Sequence, residues 1–255
     1  MAAVLLSFDV EEFDMPLEYG HNITINEQIN IGKQGLQLIA ELLSKHNIET
    51  TLFTTAFFAQ QVPTTIQQLA IKHEIASHTF FHSQFSEVHL LQSRLALSKI
   101  IQKPIYGLRM PRMKKISPSL VKAAGYQYDS SINPTYLPGR YNNWHLPRTF
   151  YRQDGLLRIP ASVSPNLRIP LFWLSFKNFP YKLFKSLCLQ TLRTDNYVCL
   201  YFHPWEFVNI HHTGIPNYTK KGCTYELLKK LDRLIADLKN TAEFMSMHRF
   251  TESLM

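Results

Sequence analysis

Apolar residues along this chain follow two alternating rhythms. Short extended runs rich in aliphatic, β-branched or aromatic residues occur at 3–8, 50–54, 105–108, 126–128 and 197–202, with a further extended segment at 74–77. Between them lie stretches with helical spacing. Residues 31–46 place Leu36, Ile39, Leu42 and Leu43 on one stripe. Residues 64–72 and 87–102 carry similar patterns. Ser117-Pro118 reads as the N-cap and first position of another helix, which Gly125 ends. Residues 224–240 give the clearest stripe, through Leu227, Leu228, Leu231, Leu234, Ile235 and Leu238. The alternation predicts an α/β fold with a parallel sheet, either closed into a barrel or doubly wound.

The rhythm breaks at 133–180, which is rich in proline, arginine and aromatics. A second small domain would fit. An elaborated loop region over the active face of a single domain spanning 1–255 fits better, because ligand-reading elements on such folds sit in loops.

The 255 residues, 45% of them apolar, can bury a substantial core. The net charge of +8 favours acidic partners, but it equally describes a solvated basic surface. Lysine and arginine are scattered, which argues against a nucleic-acid stripe. Cys188, Cys199 and Cys223 are odd in number and form no CxxC, so a disulfide framework is not expected. The first residues lack a basic leader pattern and no run approaches a transmembrane span, so the chain reads as cytoplasmic.

Chemistry concentrates where extended runs end, the position of active sites in parallel barrels. After the first run come Asp9, Val10, Glu11 and Glu12. Residues two apart in an extended segment share a side, so Asp9 and Glu11 can face one pocket while Val10 and Glu12 face away. Alone, this also fits a solvated strand end. His78 and His82 follow the 74–77 run, and at i, i+4 on a helical turn they can chelate one cation. With eleven histidines in the chain, that spacing is weak by itself. Arg109 in Leu108-Arg109-Met110-Pro111 could grip a carboxylate in two-pronged fashion, or be a surface arginine beside a turn. His203, between a buried run and Pro204, is stiffly held and suits a general acid, though a satisfied core histidine is the usual case.

Taken in order, these segments resemble the NodB-type polysaccharide deacetylases, the homology domain of carbohydrate esterase family 4. The matching segments are Phe8-Asp9-Val10-Glu11, His78-Thr79-Phe80-Phe81-His82, Arg109-Met110-Pro111, Tyr128-Asp129-Ser130-Ser131 and Tyr201-Phe202-His203-Pro204-Trp205-Glu206. They look most like the subgroup with a Phe-Asp-Val-Glu opening and a Phe-His-Pro-Trp-Glu ending. The resemblance implies a distorted (β/α)7-type barrel and removal of N-acetyl groups from amino sugars of a polysaccharide or lipid-linked glycan. It implies Asp9 as base, His203 as acid and Arg109 orienting Asp9, with Asp129 tuning a neighbour. Glu11, His78 and His82 would hold a divalent metal, zinc first, with cobalt, nickel or manganese as other candidates. Pro111, Tyr128, Trp205 and Glu206 would face substrate. Two departures stand out. Val10 occupies the position where the family usually has its second aspartate, and Arg112 replaces the aromatic expected after Pro111. Relatives with the Asp-x-Glu opening resemble allantoinases, so a cyclic-amide hydrolase is one alternative. A non-catalytic glycan-binding relative is another.

Overall fold

The computed structural model describes residues 2–254. Seven parallel strands form its curled central sheet: β1 (Ala3–Val10), β2 (Thr51–Thr54), β3 (Glu74–Ser77), β4 (Gly107–Leu108), β5 (Tyr128–Asp129), β6 (Leu156–Arg158) and β7 (Tyr197–Phe202). Their order is β7-β1-β2-β3-β4-β5-β6. A short strand, Tyr151–Gln153, runs antiparallel along the outer edge of β6, and Glu243–Phe244 adds a parallel stub beside Ala3 and Val4. The ladder does not close. The chain after β6 nevertheless reaches β7, where the Ser162 amide donates to the Cys199 carbonyl (2.9 Å) and the Cys199 amide to Ser162 Oγ (2.8 Å). This is the distorted barrel expected from the sequence.

Register explains why chemistry collects at one rim. Asp9 pairs with Phe53 and Val10 with Thr54, Thr54 with Ser77, Ser77 with Leu108, and Leu108 with Asp129. On the other side of β1, Phe8 pairs with Phe202. The residues after each strand therefore emerge side by side. β1 and β7 are buried along their whole lengths, which is why β7 reads as an unbroken apolar run and β1 as one interrupted only by Ser7 and Asp9.

Helices pack outside this sheet. Ile25–His46 opens with a capping box in which Thr24 Oγ1 accepts from the Glu27 amide, and it buries Leu36, Ile39, Leu42 and Leu43. Tyr225–Lys239 buries all six apolar residues of its predicted stripe. Each buried leucine or isoleucine contributes roughly 1.5–3 kcal/mol. No helix among the described residues is long and apolar enough to cross a membrane, and all three cysteines are free and buried.

The 133–180 stretch holds more regular structure than its sequence reveals. It contains β6, a hairpin (Tyr136–Leu137 with Tyr141–Asn142) and the helix Trp173–Asn178. The following helix, Tyr181–Asp195, also escapes the pattern reading, because Cys188 and Thr191 stand among its buried positions beside Phe184 and Leu192.

Candidate metal centre and catalytic cleft

Glu11 leaves β1 on the same side as Asp9, and both line one cavity together with His82 and His203. Glu11 Oε2 lies 3.1 Å from His78 Nε2 and 3.1 Å from His82 Nε2. The other carboxylate oxygen, Oε1, accepts a hydrogen bond from the Trp205 indole (3.1 Å). All three of Glu11, His78 and His82 are buried.

The two histidines converge by a different route from the helical turn expected. Residues 78–82 form an irregular loop in which Thr79 has φ of 64°, a left-handed conformation that β-branched residues rarely adopt. The loop is held from both sides. The Thr79 amide donates to Ser77 Oγ (3.2 Å), and the His82 amide donates to Glu12 Oε1 (2.8 Å). Glu12, which faces away from Asp9 and Glu11 as the alternation requires, thus anchors the His82 backbone.

Each imidazole is oriented through its far nitrogen. The Arg109 carbonyl, 2.8 Å from His78 Nδ1, can only accept, so Nδ1 carries the proton. Asp14 Oδ1 stands 2.6 Å from His82 Nδ1 in the same role. Both Nε2 atoms then turn toward Glu11 Oε2, which makes no hydrogen bond. Burial alone would raise the Glu11 carboxyl, but His82, His78 and His203 hold it well below the usual carboxylate range. Burial alone would lower His82, yet Glu11 and Asp14 push it up to about 9. The donors of the cluster, two imidazole nitrogens and a carboxylate oxygen lying within 4.8 Å of one another, suit a divalent cation, and their carboxylate and carbonyl supports are those of protein metal sites.

Asp9 sits beside this cluster. Arg109, fully buried, donates from Nη1 to Asp9 Oδ1 (2.7 Å) and Ser7 Oγ (2.9 Å), and from Nε and Nη2 to the Ser130 carbonyl (3.1 Å) and hydroxyl (3.0 Å). Its guanidinium also lies over the Phe53 ring. His203 Nε2 is 3.8 Å from Asp9 Oδ2. The opposite ring nitrogen, Nδ1, is 3.1 Å from Glu206 Oε1, which also accepts the His203 amide (2.8 Å). Burial alone would lower His203; the surrounding carboxylates of Glu206, Glu11 and Asp9 raise it instead.

Five of the expected positions lie elsewhere than at the cavity wall. Tyr128 points to the opposite end of the barrel and donates to Glu74 Oε1 (2.7 Å), because its position in β5 turns it inward below the rim. Asp129 pairs with Arg158 Nε (2.9 Å) and accepts from Ser131, whose hydroxyl accepts in turn from the Met110 amide (2.8 Å). It therefore braces the Arg109 segment and touches neither His203 nor Asp9. Burial pushes the Asp129 carboxyl up despite Arg158. Pro111 is buried and starts a turn that offers Arg112 and Met113 to the cavity. Trp205 and Glu206 lie behind Glu11 and His203 as supports.

The sequence reading missed Asp14, Lys177 and the role of Arg112. Asp14 ends the acidic run that begins at Asp9, a signal available in the sequence. Arg112 reaches back to Glu18, to Asp14 Oδ1 (3.4 Å) and to the His82 carbonyl (3.3 Å). Of the irregular region's aromatics, Phe172 and Trp173 line the cavity, whereas Phe150 packs on Tyr197 and Phe250. Its arginines are largely spent internally: Arg148 on Asp195, Arg158 on Asp129 and Arg168 on the Pro134 and Leu146 carbonyls. Arg140 reaches the cavity.

Comparison with known proteins places this architecture. Residues 130–252 match the family described as Domain of unknown function (DUF3473). No curated protein sequence matches the chain. Among solved structures, a Mycobacterium smegmatis protein described as a polysaccharide deacetylase is similar with a TM-score of 0.67, at 18% identity, covering 98% of this chain and 89% of that one. One of the same description from Pseudomonas aeruginosa PAO1 gives 0.63 at 14% identity, covering 95% and 86%. The Puue allantoinase gives 0.60 at 15% identity, also covering 95% and 86%. The chain has the fold of the polysaccharide deacetylases, a curled sheet of parallel strands whose carboxyl ends carry the Glu11, His78 and His82 cluster.

Proposed function

We propose that this protein is a metal-dependent deacetylase that hydrolyses the N-acetyl group of an amino sugar in a polysaccharide or lipid-linked glycan. The observation that carries this reading is the convergence of Glu11, His78 and His82 beside the gap between Asp9 and His203. A binding protein needs no such pairing of a base and an acid across a cation site. All of these positions are filled by competent side chains, which speaks against a non-catalytic relative.

Glu11, His78 and His82 would hold a divalent cation, with zinc the first candidate, and it would supply Lewis-acid chemistry and acidify water nearby. Asp9, fixed by Arg109, accepts the proton of the attacking water. His203, protonated and held by Glu206, delivers a proton from Nε2 to the amine nitrogen as the C–N bond breaks. His203 Nε2 and Asp9 Oδ2, 3.8 Å apart, face the same cavity, so both groups can reach an amide bound there. General acid–base help of this kind is worth roughly 10²–10⁴-fold. Phe172, Trp173 and Tyr141 offer faces for a sugar ring at the cavity wall.

The test is metal analysis of the purified protein, followed by acetate release from N-acetylglucosamine-containing saccharides. Stoichiometric metal and free acetate are the expected results. The absence of both metal and acetate would sink the reading, and turnover of a cyclic amide in place of acetate release would favour an allantoinase-type hydrolase.

A further inference from the structure

The Nδ1 side of His203 faces a buried ion pair that the proposed chemistry leaves unused. Lys177, on the helix Trp173–Asn178, has a side chain only 1% exposed, and its ammonium lies 3.3 Å from Glu206 Oε2. The same Nζ donates to the Thr219 carbonyl (2.6 Å) and to Cys223 Sγ (3.0 Å), so two of its three protons are committed there. The Trp173 and Trp205 rings flank it at 5.0 and 5.6 Å. Glu206 is fully buried; Oε1 serves His203, while Oε2 makes no hydrogen bond and faces the ammonium. Among the described residues, Lys177 and His203 are the cationic groups within ion-pair distance of Glu206.

We propose that Lys177 is a positioning residue for His203: by pinning Glu206, it holds the imidazole with Nδ1–H on the carboxylate and Nε2 aimed at the departing nitrogen. This rests on the deacetylase reading. A buried carboxylate with one oxygen free would rotate and offer either oxygen to Nδ1. Without a second cation nearby it would also compete for the Nδ1 proton. With Lys177 in place, Glu206 stays an acceptor. When the C–N bond breaks, the Nε2 proton passes to the amine nitrogen, the C–N electron pair stays on that nitrogen, and His203 is left neutral with Nδ1–H still on Glu206. Lys177 comes from the irregular 133–180 segment, so that segment reaches through the cavity wall to the acid.

The experiment exploits the leaving group. An amine must be protonated to depart, but 4-nitrophenolate leaves without a proton. In Lys177→Met, kcat for acetate release from an N-acetylglucosamine oligosaccharide should fall by about 10- to 100-fold, a fraction of full general-acid help. KM and bound metal should be unchanged, and turnover of 4-nitrophenyl acetate should fall less than about threefold, since no proton is delivered in that step. If Lys177→Met does not fold, Lys177→Gln, which keeps a polar donor beside the Thr219 carbonyl without the charge, is the second variant, and the same split between substrates is expected. Equal losses on the amide and the aryl ester, or no loss on the amide, would overturn the assignment. Wild-type protein that releases no acetate from any N-acetyl sugar would instead sink the deacetylase reading, and the proposal with it.

Discussion

Arg109 Nη1 and Asp9 Oδ1 meet at 2.7 Å in a pocket where the arginine is wholly shielded from water. Two strand ends, β1 and β4, are joined at this point. The guanidinium also spans to Ser7 and Ser130, so one side chain ties three strand ends together. Replacing Arg109 with leucine leaves Asp9 as a buried charge without its partner, and a loss of about 3–5 kcal/mol is expected in urea unfolding. Asp9→Asn keeps the shape and tests the base instead. Its kcat should fall by roughly 10²–10⁴ with bound metal retained. Intact turnover in Asp9→Asn would remove Asp9 from the role of base.

His82→Ala removes one of the three proposed ligands, and metal should be lost on dialysis against a weak chelator. Asp14→Asn is the more informative change. It preserves His82 but weakens the acceptor that fixes its tautomer, so affinity for zinc should drop about 10- to 100-fold. A competition titration with a chromophoric chelator reads this directly. Unchanged affinity would mean that Asp14 serves Arg112 and the Ser83 hydroxyl, both of which also donate to it, rather than the histidine.

How much of this was legible in the sequence follows from what each pattern encodes. β1 and β7 were readable because both faces are buried, and the Tyr225–Lys239 helix because one face is. Asp9 and Glu11 came from strand alternation, which holds past the end of β1. The loop 78–82 was not legible as a loop, because histidines four apart point to helix unless the left-handed Thr79 is known. β6 was hidden because only three residues pair, and nothing in Leu156–Arg158 marks them apart from a turn region. Tyr128 and Asp129 were placed at the site from motif order alone. The inward direction of Tyr128 and the Arg158 partner of Asp129 depend on contacts between distant segments.

At the opposite end of the barrel, His73 offers a pH test remote from the Glu11, His78 and His82 cluster. Burial, with Lys72 adding to it, lowers its imidazole from 6.5 to about 4. The unfolded chain therefore binds a proton that the folded chain refuses across that interval. The contribution of His73 to stability is full above pH 6.5, declines as pH falls, and is gone below about 4. Urea unfolding of wild type and His73→Gln should give curves whose difference changes between those limits and is flat above pH 7. A difference that is constant across the acid range would show that His73 is accessible to protons in the folded state.

Two glycines decide how closely the helix Ile25–His46 approaches the site. A Cβ on Gly32 would stand 2.6 Å from the Glu11 carbonyl oxygen, and one on Gly35 would stand 2.1 Å from the Pro204 carbonyl oxygen. The helix thus lies directly on the backbone of Glu11 and on the backbone that follows His203. In an open helix, glycine to alanine stabilises by about 0.8–1 kcal/mol. At Gly35 the sign should reverse: the methyl must displace Pro204, and overpacking of this kind costs about 1–3 kcal/mol. Because Pro204 is bonded to His203, the displacement moves the imidazole relative to Asp9, so kcat should fall along with the melting temperature. Raised stability in Gly35→Ala would mean that the helix does not rest on this turn, and the account of how His203 is held from outside the barrel would fail with it.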